Sequence, residues 1–552
     1  MTDPVVFQGG PIRLMQEDDL AADMPDALLV EDGLIRAIGT FDDVRRAATG
    51  APRQVDLDGR TLLPGFVDAH THTLLHGSGL EWVDLSDVKT VDDIVDRLSR
   101  RAAERPGSPV HGYGYDQSLL QDRRHPSARD LDRVTTTQRV QIQHASGHGY
   151  ALNTNALRDF GITAQTPTPT GGRIDRDDRG EPTGVVFDAA CDLLTGPEGV
   201  KVSNHGPNFH LPSNDDDVSR MFELGQTSLL AAGITTICDA QVTELEMAAY
   251  LQARDSGRLR MRAHLMLLSN KLEHLKALGL TSRLGDDFLE LYGVKVYADG
   301  SVIARTAYLG AHGCCGDPTP SGYLYHEPAE LQQLITTAHA MGLRTGTHAQ
   351  GDVPIGLVLD AIERARATHP RPGLVHRIEH CGFPTDQQVG AMARLGVVPV
   401  PQPMQVHLYG DSLIEEFGDW GGSFYPYGTF EQAGVPVVIS SDAPVTSPGP
   451  LRAAWAAISR QTAAGDVAGS PRQQASRPAA LRGITAAPAK LLGRSDVGRL
   501  VAGGQADLVL ADTDPVTCAL DDLATAVVTE TWLAGSPVWS QTSGLAPVLT
   551  GS

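Results

Sequence analysis

LLPGFVDAHTH, residues 62–72, is the stretch on which the fold reading turns. An apolar run passes through Pro64 and Gly65 into Phe66 and Val67 and ends on His70 and His72. Side chains alternate along a strand, so histidines two positions apart emerge on one face. Apolar runs recur downstream: ITTICDAQ (234–241), MRAHLML (261–267), LYGVKVYADG (291–300), LRTGTHAQG (343–351), VHRIEHC (375–381), VVPVPQP (397–403) and VPVVISSDAP (435–444). Helix-like stretches such as PAELQQLITTAHAMG (328–342) and DVPIGLVLDAIERARA (352–367) lie between them. Strands alternating with helices predict an α/β chain with a parallel sheet. Eight such units predict a (β/α)8 TIM barrel.

The interval between the first run and the second, residues 73–233, is far longer than one crossover needs. It predicts an inserted α+β subdomain after strand 1. Both ends of the chain read as strands. ALLVEDGLIRAIG (27–39) and RQVDLDGRTLL (53–63) each carry an Asp-Gly pair between apolar runs, the signature of a hairpin. GRLVAGGQADLVLAD (498–512) and AVVTETWLAGSPVW (526–539) look similar. Neither end can build a core alone, so a small β-sandwich made from both is expected. The division is then 1–63 with 491–552 as the composite sandwich, 64–81 with 213–490 as the barrel, and 82–212 as an insert covering the barrel mouth. A length of 552 residues agrees, at about three to four domains of ~150 residues each.

Composition excludes several classes. A net charge of −22 repels phosphate backbones and anionic bilayers, so no nucleic acid and no membrane is expected as partner. The six cysteines show no C-x-x-C spacing, which argues against a disulfide framework or a zinc knuckle. Adjacent Cys314 and Cys315 rarely form a relaxed disulfide and are expected in a loop near the pocket. MTDPVVFQGG has no basic segment followed by an apolar core, so a cytoplasmic protein acting on a small molecule is the expectation.

Polar residues gather at the C-terminal ends of the predicted strands: His70 and His72 in the first, Lys295 in the fourth, His348 in the fifth, His380 in the sixth and Asp442 in the eighth. In a barrel those ends converge on one mouth. Each residue alone has an ordinary explanation. An H-x-H can be a surface pair, a single histidine can be hydrogen-bonded near a loop, and Asp442 before Pro444 can cap a helix. A lysine inside a barrel must lose its charge, find a carboxylate or be modified. Occurrence of all of them at one end favours a shared site.

The motifs PGFVDAHTH (64–72), GVKVYADGS (293–301), THAQGD (347–352), RIEHC (377–381), SSDAPV (440–445) and GGQADLVLAD (503–512) resemble the amidohydrolase superfamily. Within it they resemble the YtcJ-like, or amidohydrolase family 3, branch that includes N-substituted formamide deformylases. SGHGYALNTNAL (146–157) and GGRIDRDDRGEPTGVV (171–186) extend the similarity through the insert. The resemblance implies two divalent metal ions, zinc by default. His70, His72 and Asp442 would hold one and His348 with His380 the other. Lys295, carboxylated by CO2, would bridge both. It implies hydrolysis of a non-peptide C–N bond by a metal-bridging hydroxide, with Asp442 as general acid and base. His148 could reach the substrate or simply form a turn. Arg305 could orient a polar group or form a structural ion pair. Family members are often dimeric or larger, so a homodimer is an expectation. A cyclic amide, imide or lactone hydrolase, a deaminase, and a scaffold without catalysis are the other readings. Deaminases of the superfamily usually carry a glutamate shortly after the fifth-strand histidine, where this chain has His348-Ala-Gln-Gly-Asp352.

Overall fold

The computed structural model describes residues 3–16, 24–196, 199–211, 214–310, 321–542 and 544–545. Seven parallel strands follow one another around a barrel: Phe66–Thr71, Ile234–Val242, Arg262–Leu268, Leu289–Tyr297, Arg344–Ala349, Arg377–His380 and Val398–Val400. They are called the first to seventh barrel strands below. The first, second and fifth are buried along their whole length, as strands covered on both faces must be.

The eighth run does not become a ladder strand, which corrects the expected count. Residues 435–442 bridge the gap between the seventh and first strands. Ser440 donates its backbone N–H to Pro401 at 3.3 Å, and Asp442 donates to the carbonyl of His70 at 2.8 Å. Pro436 has no N–H to give, and Asp442 turns out of the extended region at φ 55°. The barrel is therefore nearly closed by single hydrogen bonds at this seam.

The chain ends form two sheets. One orders Leu34–Gly39, Ala27–Glu31, Val5–Gln8 and Arg53–Asp56. The other orders Gly544–Leu545, Ser536–Ser540, Val528–Leu533, Leu508–Ala511 and Thr61–Pro64. Phe7, Leu28 and Val30 from the first sheet join Leu62, Leu508, Leu510 and Trp532 from the second in one apolar cluster. The Asp32-Gly33 hairpin forms as expected, with both residues at positive φ. The second expected hairpin does not form. Arg53–Asp56 pairs with Val5–Gln8, whereas Thr61–Pro64 pairs with Leu508–Ala511. Asp58 and Gly59 do turn, at φ 50° and 76°, but they carry the chain from one sheet to the other. Burial explains the choice: Thr61–Pro64 is buried throughout, while Arg53–Asp56 is mostly exposed and suits an edge.

Residues 82–212 contain a six-stranded mixed sheet in the order Gly172–Arg176, Pro182–Asp188, Gly149–Leu152, Val140–His144, Val110–Tyr115 and Val83–Asp84. The helix Val91–Glu104 starts at a Thr90–Asp93 capping box and buries Ile94 and Leu98 in the cluster with Val110 and Ile142. No described helix is long and apolar enough to cross a membrane.

The helix Thr73–Glu81 leaves the barrel mouth directly after His72 and lies against Asp215–Ala231 at backbone contact. A Cβ added to Gly77 would come within 1.7 Å of the Met221 carbonyl oxygen. Overpacking of this kind costs on the order of 3 kcal/mol. Gly77→Ala is accordingly expected to lower the urea midpoint sharply, and an unchanged midpoint would show that these helices separate at little cost.

Candidate metal centre

His70 lies on the first barrel strand, and His72 follows it as the residue capping the next helix. Their rings sit 5.3 Å apart between centroids. Asp442 Oδ1 faces both, at 3.3 Å from His70 Nε2 and 3.2 Å from His72 Nε2. His380 ends the sixth strand, with its ring 4.9 Å from that of His70 and 4.5 Å from that of His348. One ligand atom each of His70, His380 and Asp442 falls within 4.8 Å of the others, all three side chains buried. His380 and Asp442 both take positive φ, at 66° and 55°. Non-glycine residues hold such angles where the surroundings over-determine them, commonly at functional sites.

Lys295 lies on the fourth strand, beside the fifth strand's Gly346 in register, and is 0% exposed. Its Nζ has no hydrogen-bond partner. Burial pulls its pKa down to about 8 against the opposing fields of Glu379 and Asp442. A buried amine without a partner is uncompensated where it stands.

The imidazoles are oriented for coordination. His70 Nδ1 contacts Glu379, which leaves Nε2 facing Asp442. His380 Nδ1 donates to Gln402 Oε1 at 2.7 Å, and His348 Nε2 donates to the Gly300 carbonyl at 2.9 Å. In each case the opposite nitrogen carries the lone pair, and His348 Nδ1 is buried without a partner. Burial pushes the His380 pKa down to about 3 and that of His348 well below the usual range, so both rings are neutral. His72 differs. Burial lowers its pKa too, but the carboxylates of Asp239, 3.8 Å from Nδ1, and Asp442, 3.2 Å from Nε2, outweigh that and raise it to about 9. A divalent cation between His72 and Asp442 would displace that proton. The donor set of imidazole and carboxylate is of the kind that holds a divalent transition metal.

Of the six predicted ligands, His70, His380 and Asp442 bring their ligand atoms together within 4.8 Å, with His72 and His348 beside them. His148 joins them from the insert, its ring 5.2 Å from that of His348. Arg305 does not join them. It is exposed and forms an ion pair with Glu416 at 3.2 Å, the structural alternative. Asp442 caps no helix; the next one begins at Pro450. Cys314 and Cys315 lie outside the described residues.

Sequence reasoning missed the supports behind the ligands. Glu379, fully buried, contacts His70 and accepts a bidentate pair of hydrogen bonds from Arg377 Nε and Nη2. Asp68 receives the Ser441 side chain and its N–H at 3.1 Å, tying the first strand to the Asp442 segment. Asp299 accepts the N–H groups of Gln350 and Gly351 beyond His348. The signal was present, since Asp68-His70 and Arg377-Glu379 both alternate with period two on buried strands. Glu379→Gln removes the anion shared by His70 and Arg377. Metal affinity is expected to fall about 10- to 100-fold, measured by chelator competition. Unchanged affinity would show that Glu379 serves Arg377 alone.

The sequence pattern of the amidohydrolase family matches residues 53–539, nearly the whole chain. The chain belongs to the amidohydrolase family. It is 29% identical over 525 residues to the N-substituted formamide deformylase of Arthrobacter pascens, covering 92% of this chain and 94% of that one. YtcJ of Bacillus subtilis (strain 168), which carries an amidohydrolase name, is 28% identical over 464 residues, covering 83% and 84%. The crystal structure of an uncharacterized metal-dependent hydrolase from Pyrococcus furiosus superposes with a TM-score of 0.72 at 25% identity, covering 93% of this chain and 100% of that one. This amidohydrolase is therefore a hydrolase of YtcJ-like type with a His/Asp cluster able to bind metal.

Proposed function

We propose that this amidohydrolase cleaves a linear, non-peptide amide C–N bond, such as that of an N-substituted formamide or another N-acyl amine. The observation that carries the reading is Lys295, wholly buried and unpaired, in the field of Glu379 and Asp442 and near enough to act on His348 and His380. Two divalent cations, zinc by default, would be held by His70, His72, His348, His380, Asp442 and a carboxylated Lys295, and when bound would supply an activated water and a positive field for the carbonyl oxygen. Asp442 Oδ1 is engaged by both His70 and His72, which leaves Oδ2 to take the proton of the attacking water. The same oxygen then gives that proton to the departing nitrogen, so one carboxylate does both acid and base work. Phe209, its ring 4.9 Å from His72, and Tyr297, stacked on His348 at 4.9 Å, exclude bulk water from the reacting centre.

The division into composite sandwich (1–63, 491–552), barrel (64–81, 213–490) and covering insert (82–212) belongs to the same proposal. The apolar core common to the two end sheets and the approach of His148 to His348 support it. A screen of the zinc-loaded enzyme with bicarbonate tests the activity, across N-formyl amines, N-acyl anilines, cyclic imides and lactones. Turnover of the first two classes is expected. Turnover confined to imides or lactones would overturn the amide reading.

A further inference from the structure

A cavity of about 470 Å³ lies where residues of the insert meet the helix Asp215–Ala231, and none of the six predicted ligands lines it. The chain borders it twice: Glu81 and Trp82 on the way into the insert, His210, Leu211 and Asn214 on the way back. Trp82 follows directly on the helix Thr73–Glu81, whose first residue succeeds His72. Nine residues at 1.5 Å each set the cavity about 13 Å along that helix from the centre. Its volume is of the size that small organic ligands occupy.

Its charge is opposite to that of the protein. Arg101, Arg105, Arg139 and Arg220 line it against Glu81 and Asp217, in a chain of net charge −22. Both carboxylates are taken by one guanidinium, that of Arg220. Arg101 donates to the Glu81 carbonyl at 3.1 Å and stands 3.4 Å from the exposed Glu104. Arg139 lies 3.9 Å from Asp159, an open pair with side chains 41% and 45% exposed. Exposed pairs of this kind contribute little. Arg105 follows the helix Val91–Glu104, and among the described residues its side chain has neither a hydrogen bond nor an ion pair. Gln138 Nε2 donates to the Arg105 carbonyl at 3.0 Å, which brings Arg139 alongside Arg105. Three guanidiniums therefore border one cavity with no carboxylate of its lining to neutralise them.

The rings of the lining feel that charge. Trp82 stacks on His111 at 5.5 Å, and His210 lies 6.4 Å from His111. Burial pushes the pKa of His111 down to about 4 and that of His210 to about 3, and the Arg139 charge presses both the same way. His111 Nδ1 is buried without a partner. His210 is held at φ 40°, a strain of the kind that collects at ligand sites. Trp82, Leu211 and Met221 supply an apolar wall beside the guanidiniums.

Guanidinium forks match the oxygens of a phosphate dianion. Inorganic phosphate would leave most of the volume unfilled, so the apolar wall calls for an organic body on the same molecule. We propose that this cavity binds an organic phosphate monoester, its phosphate on Arg105 and Arg139 and its body against Trp82, Leu211 and Met221. Such a ligand ties the insert to the helix Asp215–Ala231 at the place where the chain passes twice between them. The inference is independent of the amide reading, since its residues lie outside the metal centre.

Calorimetric titration of the full-length zinc-loaded enzyme with phenylphosphonate tests the site, because this probe has the anionic head and an aromatic body but no ester to hydrolyse. Arg105→Gln and Arg139→Gln are each expected to weaken binding about 10-fold, and together about 100-fold. Arg133, paired with Asp92 at 2.8 Å, does not line the cavity. Arg133→Gln removes the same charge from the insert and is expected to change the affinity by less than about twofold. Arg105 has no side-chain partner to lose, so its variant keeps the fold, which an unchanged urea midpoint checks. Inorganic phosphate is expected to bind at least about tenfold more weakly than phenylphosphonate for want of the apolar body. An affinity unchanged in the double variant, as binding at the zinc centre would give, would overturn the proposal. So would an equal fall in Arg133→Gln, or no binding by the wild type. Equal affinity for phosphate and phenylphosphonate would overturn the organic ligand.

Discussion

Asp442→Asn is expected to fold normally, retain much of its metal and lose turnover by about three orders of magnitude, within the range that acid–base catalysis contributes. The amide is isosteric with the carboxylate and keeps an oxygen to face His70 and His72. It has no basic oxygen to take a proton and none to return. The wild-type carboxylate is well placed for both steps. Burial would raise its pKa, but the His70 and His72 imidazoles facing its oxygen outweigh that and hold it well below the usual carboxylate range. It is therefore ionised when the water must be deprotonated. The measurement is kcat normalised to metal bound per chain. A normalised rate near wild type would remove Asp442 from the proton path, and loss of metal in parallel with rate would reduce it to a ligand.

Lys295→Met is the second large effect. Turnover is expected to vanish and bound metal to fall well below two per chain, even with added zinc and bicarbonate, because no other described residue offers a lysine amine at the centre. Stability should move the other way. In metal-free, bicarbonate-free protein the amine is buried without a partner, and its pKa falls from 10.5 to about 8. The unfolded chain binds this proton more tightly than the folded one. The penalty is fully present below pH 8 and disappears as pH rises from 8 to 10.5. At 1.36 kcal/mol per pKa unit, that is on the order of 3 kcal/mol at neutral pH. Metal-free Lys295→Met should therefore resist urea better than metal-free wild type at pH 7, and the advantage should shrink as pH rises from 8 to 10.5. A variant that is less stable and still binds two metals would mean that Lys295 is a packing residue.

Much of the barrel was legible because parallel strands buried on both faces are continuous apolar runs, and their polar residues are conspicuous where they stop. His70, His348 and His380 stand out for that reason. Asp442 was found although its segment is not a ladder strand, because SSDAPV follows an apolar run all the same. The Asp58-Gly59 turn was misread because a turn signal fixes local backbone and not the partner of the strand that follows. That partner, Leu508–Ala511, is hundreds of residues away, and only burial across two sheets selects it. Glu379 and Arg377 were passed over because their period-two spacing shows that they share a face and not what that face meets. Their meaning comes from the histidine on the neighbouring strand.

The pairing of Thr61–Pro64 with Leu508–Ala511 also fixes a sequence of events in time. Gly65, the residue that opens the first barrel strand, donates its N–H to Asp507 at 2.8 Å. On the ribosome, where a chain emerges from its N-terminus, Thr61–Pro64 is made long before Leu508–Ala511, the strand it pairs with. His70, His72, Lys295, His348, His380 and Asp442 all precede that strand in the chain. The sheet that leads into the first barrel strand is therefore completed only after residues 507–511 have been made.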